Sequence, residues 1–121
     1  MTDNFTKVPR ARVREILRSA RDKMNDEGKH WIKGRLSRKK AVGMCYCSLG
    51  AINAVTPDRN ERRAAKEALV ALGLERSLPS IEHSGRRRSE VEAIVYTFND
   101  SQRTSWRDVD RVFRKAVRAL R

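Results

Sequence analysis

The sequence predicts an all-α fold, a single compact domain over residues 1–121 with about five helices around a buried central helix. The main observation is a stretch without charge, Ala41 to Pro57, in a chain in which 36% of residues are charged. Apolar residues also recur every three or four positions on both sides of this stretch, as they do in amphipathic helices. A chain of 121 residues is long enough to bury one core that all the helices share.

The central helix is expected over residues 44–55, in the second half of the uncharged stretch. Apolar or small residues occur on all sides of this helix, which is typical of a helix covered by its neighbours. The stretch is not expected to span a membrane, because it contains two glycines, a serine and an asparagine and is flanked by Arg38 and Arg59. Cys45 and Cys47 are expected to be reduced, buried thiols.

The first helix is expected from Pro9 to Met24, since proline suits the first turn of a helix. Its apolar residues fall on one face: Val13, Ile16, Leu17, Ala20 and Met24. Three segments are expected to be mobile: residues 1–6, 29–42 and 82–88. Residues 30–43, in the middle segment, are expected to form a loop or a short irregular hairpin, and four residues are expected to anchor it to the core: Trp31, Ile32, Leu36 and Val42.

The third and fourth helices follow the central one. Thr56 is the expected N-cap of a helix from Pro57 to Leu72, which Gly73 would end. Ser89 is the expected N-cap of a helix that stops near Asn99.

The last helix has the clearest periodicity in the chain and is expected to begin at Ser105, with Asp108 completing a capping box. Its inner face would comprise Trp106, Val109, Val112, Phe113, Ala116, Val117 and Leu120.

The net charge of +13 is the strongest functional clue, because a strongly basic surface attracts polyanions. The expected partner is therefore nucleic acid or, alternatively, an acidic protein. Arginine outnumbers lysine by 20 to 8, which a GC-rich genome would also produce without selection for phosphate binding. The first twenty residues contain no continuous apolar segment, so the protein is expected in the cytoplasm.

The last helix carries a ladder of arginines opposite its apolar face. At about 100° per residue these side chains share one arc that contains no acid: Arg107, Arg111, Arg114, Arg118 and Arg121. The first helix has a second ladder, interrupted by Glu15 and Asp22: Lys7, Arg10, Arg14, Arg18 and Arg21. Ordinary solvated helix faces carry similar ladders. Three interpretations therefore stay open: a solvated face without a binding role, contact with nucleic acid, and contact with an acidic protein.

Two basic loops are expected to flank the last helix as contacts to a nucleic-acid backbone. The candidate residues are Lys39, Lys40, Arg86, Arg87 and Arg88, and the first loop also holds Lys33, Arg35 and Arg38. No exposed aromatic residue is expected in these patches, which argues against stacking of single-stranded bases. A helix-turn-helix is disfavoured because the link between the last two helices is too long and lacks glycine.

No catalytic, metal or cofactor site is expected. The chain lacks a nucleophile with a base and an orienting group, a glycine-rich phosphate loop and paired acids in an apolar setting. A zinc site that joins Cys45 and Cys47 to His30 and His83 would need ligands at an unusual spacing. Asp100 is expected to accept backbone N–H bonds from the following turn.

Three short motifs resemble those of an uncharacterised family of small helical proteins from actinobacteria and their phages. They are Trp31 to Gly34 as Trp-x-x-Gly; Cys47, Leu49, Gly50 and Ala51; and Phe98, Asn99 and Asp100 followed by Arg103 and Thr104. The chain departs from that pattern at Phe98, where tryptophan is more usual, and in its very basic surface. The resemblance implies a helical fold and an actinobacterial or actinophage source, with host-takeover roles favoured for a phage protein, and it transfers no catalytic residue.

These observations favour a non-enzymatic basic accessory protein that binds nucleic acid through backbone phosphates, acting in the host cytoplasm if a phage encodes it. The alternative is a protein-interaction module that inhibits or redirects a host protein, with charge serving to steer association. A homodimer through the last helix is also possible.

Overall fold

The computed structural model describes residues 7–79 and 84–121, with the backbone alone at residues 84 and 85. The α-helices in that part of the chain are α1 (Arg10–Met24), α2 (Ser48–Val55), α3 (Arg59–Ala68), α4 (Ser84–Asp100) and α5 (Trp106–Ala119). The strands are β1 (Ser37–Lys40) and β2 (Gly43–Tyr46), and a π-helical turn, Leu69–Gly73, continues α3. None of the described helices is long and apolar enough to cross a membrane.

The core lies where α1 packs against α2, α3 and α5. All five apolar residues predicted for the inner face of α1 are buried, and so are most of those predicted for α5. The largest fully enclosed side chains include Phe113, Ile16, Leu17, Met24 and Ile52. The helical periodicity therefore predicted the buried faces of both terminal helices correctly.

The all-α prediction is wrong in one region, because the first part of the expected central helix is a strand. Residues Met44 to Tyr46 belong to β2, which pairs antiparallel with β1 from Ser37↔Tyr46 to Lys40↔Gly43. Gly43 has φ +116°, a value that side-chain-bearing residues rarely adopt, and it turns the chain back between the strands. Helix α2 is consequently only eight residues long and begins at Ser48.

The loop before the hairpin is anchored by two of the four predicted residues. Ile32 is 8% exposed, and its N–H donates to the Tyr46 carbonyl at 3.0 Å. Trp31 is half-buried. Leu36 and Val42 are 53% and 52% exposed, so their predicted anchoring is wrong. The residues that anchor the loop, Trp31 and Ile32, lie beside Tyr46 of β2.

Two predicted helix starts are also wrong. The N-cap of α3 is Asp58, whose carboxylate accepts the Glu61 N–H at 2.9 Å, and Thr56 is instead buried beside it. Helix α4 begins at Ser84, five residues before the predicted Ser89 cap, so residues 84–88 of the predicted loop are helical. Residues 1–6 and the remainder of that loop, 82–83, lie outside the described part.

The capping box of α5 is confirmed. The Ser105 hydroxyl accepts the Asp108 N–H at 3.4 Å, and Asp108 accepts the Ser105 N–H at 2.9 Å. The Ser105 N–H and, after it, the Ser105 hydroxyl, which donates to the same carboxylate at 3.0 Å, lower the pKa of Asp108, so this carboxylate stays ionised near the positive end of the helix.

A buried asparagine joins the end of α4 to the start of α2 and to the loop before β1. The Asn99 side-chain oxygen accepts from the Trp31 indole N–H at 2.8 Å and from the Ser48 N–H and hydroxyl at 3.0 and 2.8 Å. Its amide nitrogen donates to the Ile32 carbonyl at 3.0 Å and to Asp100 at 2.9 Å. Asn99 therefore fixes the position of Trp31.

Asp100 has a different role from the one predicted. Its carboxylate accepts the Gly34 N–H at 2.9 Å, a contact with the loop before β1 rather than with the turn that follows α4. The residues of two of the three sequence motifs thus meet in one polar network, since Trp31 and Gly34 bind Asn99 and Asp100.

Glu61 connects α3 to α1 and gives an expected pH dependence of stability. It accepts two bonds from the Arg12 guanidinium, at 3.1 and 2.9 Å, and one from the Thr56 hydroxyl at 2.7 Å. These bonds, those from Arg12 first, lower the pKa of Glu61.

A lowered carboxyl pKa stabilises the fold above the ordinary glutamate pKa of about 4.3, and that stabilisation is lost as the pH falls through the lowered value. Glu61→Gln is therefore expected to destabilise the protein at neutral pH and to differ less from wild type in acid. Urea midpoints measured across this range would test it, with Glu75→Gln, at an exposed ion pair with Lys115, as the control. A difference from wild type that is constant with pH would contradict the prediction.

Candidate nucleic-acid interface

The two arginine ladders lie side by side because α1 packs against α5. They enclose a groove of about 320 Å³, here called the arginine groove. Its lining is Arg18 and Arg21 from α1 with Arg114, Val117, Arg118 and Arg121 from α5 and the residues after it. No carboxylate of the described residues lines this groove, so five guanidinium groups from two distant parts of the sequence face one space.

One acid at the edge of the arginine groove holds two of its guanidinium groups. Asp110 accepts a hydrogen bond from Arg21 with one oxygen, and its other oxygen lies 3.3 Å from Arg114 Nε. Arg111 pairs with Asp108 at 2.9 Å. The arc of the α5 ladder contains no acid, as the spacing indicated, but Asp108 and Asp110 beside the arc pair with Arg111 and Arg114.

The other three arginines of the arginine groove are exposed. Within residues 7–79 and 84–121, no carboxylate lies within ion-pair distance of Arg18, Arg118 or Arg121. Guanidinium groups without acid partners can each make two parallel hydrogen bonds to a phosphate or carboxylate. The arginine groove thus combines two guanidinium groups that Asp110 positions with three that have no acid partner among the described residues.

A second depression, here called the indole cleft, adjoins the arginine groove and shares Arg21 and Arg114 with it. It has a volume of about 800 Å³. Its other lining residues are Asn25, Glu27, Ser105, Trp106, Arg107 and Asp110. Arg107, predicted as a contact, lies here, and no ion pair of the described residues involves it.

A third depression of about 460 Å³ lies beside the hairpin and is here called the hairpin pocket. Its described lining is Trp31, Ile32, Lys33, Gly34, Arg35, Arg38 and Lys40, with four cations and no acid. Arg35, Arg38 and Lys40 are exposed and form no ion pair with any described residue. Lys33 differs, because its ammonium donates to the Ser101 carbonyl at 2.6 Å and lies 5.5 Å from the centre of the Trp31 ring.

The two lysines predicted as hairpin contacts, Lys39 and Lys40, lie on opposite faces of β1. Successive side chains of a strand point to opposite faces, so Arg38 and Lys40 share the face of the hairpin pocket while Lys39 lies on the other. Lys39 is exposed opposite Met44. Only Lys40 of this predicted pair belongs to the pocket.

The arginines at 86–88 do not form the exposed cluster that the sequence predicted. Arg87 is 6% exposed, pairs with the buried Glu67 at 2.9 Å and donates to the Pro79 carbonyl at 3.1 Å. Arg86 is exposed and paired with Glu90 at 3.1 Å, and Arg88 is half-buried. Arg87 is therefore a core ion-pair residue, because α4 starts early and turns it inward.

Two of the basic depressions contain a partly buried indole that packs against the core and, as predicted, no exposed aromatic residue among the described ones lines them. Trp106 lines the indole cleft and Trp31 lines the hairpin pocket. Both are half-buried, and their ring centroids are 6.4 Å apart at 44°. The sequence pattern assigned Trp106 to the apolar face, and nothing local indicated that it would meet Trp31.

The thiols are both free and buried, as predicted, but they do not lie on one helix. Cys45 is in β2, and Cys47 caps α2 by accepting the Gly50 N–H at 3.4 Å. Burial raises the pKa of Cys47, which keeps this thiol protonated. In the described part, which excludes His83, no three histidine, cysteine or acidic side chains are grouped to hold a metal ion.

Comparison with models of known protein families gives a match over most of the chain. A model described as a family of unknown function (DUF6197) matches residues 8–119. Searches of curated proteins and of solved structures found no match.

Proposed function

The chain belongs to the family of unknown function DUF6197, and from its geometry we propose that it is a non-enzymatic basic accessory protein that binds nucleic acid through backbone phosphates. The observation that carries this proposal is the arginine groove, where Arg18, Arg118 and Arg121 are exposed without acid partners among the described residues. Asp110 positions Arg21 and Arg114 beside them. Such a row of guanidinium groups matches the spaced phosphates of a polynucleotide better than a single small anion.

The hairpin pocket adds a second set of phosphate contacts. Arg35, Arg38 and Lys40 are exposed and unpaired within the described chain, and the net charge of +13 would raise the association rate with any polyanion. The proposed contact set is thus Arg18, Arg107, Arg114, Arg118 and Arg121, with Arg35, Arg38 and Lys40. The other predicted contacts are left out because they line none of the three depressions: Lys39, Arg86, Arg88 and Arg111.

The resemblance to actinobacterial and actinophage proteins supports a proposed source of that kind. In a host cytoplasm, a phosphate-binding protein of this charge would meet abundant nucleic acid, and specificity would require contacts beyond the backbone.

A protein-interaction module is the second candidate, favoured by three large apolar side chains exposed at the hairpin. Leu36, Val42 and Met44 are 53%, 52% and 42% exposed, and such residues are common where a partner covers a surface. In this case the charge would steer an acidic protein to the hairpin. A partner binding in fixed stoichiometry, with weak affinity for bare nucleic acid at physiological salt, would favour this candidate.

Fluorescence anisotropy with labelled single-stranded DNA, RNA and duplex DNA would test the proposal. Phosphate-driven affinity should fall by orders of magnitude between about 50 and 200 mM salt. Strong binding with a linear dependence of log affinity on log salt is expected. Weak binding already at about 50 mM salt, or an affinity that hardly changes with salt, would contradict the proposal.

Charge reversal in the arginine groove gives the sharper test. The variant Arg18→Glu/Arg118→Glu/Arg121→Glu is expected to reduce affinity at least about tenfold and to lower the salt slope by about 2 to 3, because three phosphate contacts are lost. The matched control, Arg59→Glu/Arg76→Glu/Arg103→Glu, changes the net charge equally at exposed positions outside the three depressions. Equal losses in both variants would mean that binding is diffuse and that the arginine groove is not its site.

A further inference from the structure

The only two tryptophans of the chain lie together between the basic depressions. Trp106 lines the indole cleft beside Arg107 and Arg114, and Trp31 lines the hairpin pocket beside Arg35 and Arg38. Because the rings are in contact, the two depressions meet at an aromatic pair. A chain of phosphates that runs from the arginine groove to the hairpin would pass both indoles.

Both rings are held in place before any ligand binds. The Trp31 indole N–H donates to the buried Asn99. Gly28, at φ +80°, packs so closely on Trp106 that a Cβ there would lie 2.6 Å from its Cγ. The Trp31 ring has one cation above it, Lys33, so a base that stacks on this face would take the place of the ammonium group.

A surface that combines a row of cations with fixed aromatic rings would bind single-stranded and duplex nucleic acid differently. In a duplex the faces of the bases are stacked inside the helix and cannot contact a protein ring, whereas unpaired bases can. Electrostatic contacts alone would not require an indole in each basic depression. We propose that this protein binds single-stranded nucleic acid, with its phosphates against the cations of the arginine groove and the hairpin pocket and its bases against Trp31 and Trp106. This inference rests on the proposed function and assigns its ligand class.

The intrinsic fluorescence of the native chain provides the test, since every tryptophan lies at the proposed site. Thymidylate, uridylate and duplex oligonucleotides of one length would be titrated at constant salt, together with an abasic oligonucleotide that has the same phosphates but no bases. The thymidylate or uridylate strand is expected to quench the emission and to bind at least about tenfold more tightly than the abasic one. A difference between thymidylate and uridylate would show whether DNA or RNA is preferred.

Two variants test whether tighter binding of single strands depends on Trp106. Trp106→Leu is expected to weaken single-strand binding about tenfold while leaving abasic and duplex binding unchanged. The control is Tyr96→Leu, which removes an aromatic residue that is 49% exposed on α4 and lines none of the three depressions. If Trp106→Leu does not fold, the abasic comparison on the native chain still decides.

The outcomes separate the two proposals. If the abasic and duplex oligonucleotides bind as tightly as the single strands and no quenching occurs, the single-strand inference is wrong and phosphate binding through the arginine groove stands. If none of the oligonucleotides binds at physiological salt, both proposals are wrong.

Discussion

Gly50→Ala is expected to destabilise the fold by about 3 kcal/mol or more, equivalent to a fall of about 10 °C in Tm for a chain of this size. Gly50 lies in the first turn of α2, where the segment that leads into β1 crosses it. A Cβ at this position would lie 1.7 Å from the Leu36 carbonyl oxygen and 2.5 Å from its carbon. Because these are backbone atoms, no change of rotamer can relieve the overlap.

The movement that Gly50→Ala requires would also break a second contact. The Cys47 N–H donates to the same Leu36 carbonyl at 3.2 Å, so moving Leu36 away from α2 leaves that donor without its partner. The hairpin pocket would move with it, because Arg35 is adjacent to Leu36. Binding of single strands is therefore expected to weaken under conditions in which the variant is still folded.

Urea unfolding followed by circular dichroism would measure the effect, and Gly34→Ala is the control. Gly34 has φ +78°, but a Cβ at this position would have no described atom within 4 Å, so alanine there costs only the left-handed backbone, about 1 kcal/mol. A Gly50→Ala variant as stable as Gly34→Ala would mean that Leu36 does not approach α2 as closely as the structure shows.

Asn99→Leu is expected to cost about 3 kcal/mol or more, because it leaves several buried polar groups without partners at about 1 to 3 kcal/mol each. The groups that lose a bond are the Trp31 indole N–H, the Ser48 N–H and hydroxyl, and the Ile32 carbonyl. Leucine has the same number and branching of side-chain heavy atoms as asparagine, so no cavity is left and loss of hydrogen bonds would be the main cause.

Two further variants make the Asn99 prediction specific. Asn99→Asp keeps the accepting oxygen but places a second oxygen against Ile32 O and Asp100, so it is also expected to destabilise. Asn53→Leu is the control, because the Asn53 oxygen is buried and has no hydrogen-bond partner in the described part; a change within about 0.5 kcal/mol is expected. If Asn53→Leu and Asn99→Leu gave equal losses in denaturant midpoint, the proposed role of the Asn99 network would be wrong.

The helices at the two ends of the chain were predictable because their signals are local. Apolar residues three and four positions apart define one face of a helix, and the Ser105 and Asp108 pair lies within one turn. A short hairpin was one of two predictions for residues 30–43, but most of its second strand was assigned to the central helix. Met44 to Tyr46 continue an apolar run into α2, and a short apolar run does not distinguish a strand from a helix. The pairing of that run with β1 is not a local property.

The candidate site was predictable only in its parts. The composition and spacing of the sequence established a very basic, largely helical protein and two ladders of arginines. The tertiary structure decided that the ladders share one groove, that Arg87 turns inward to Glu67, and that Trp31 and Trp106 meet. The physical reason is that helical spacing states which residues share a face, whereas burial of the common core selects which faces become neighbours.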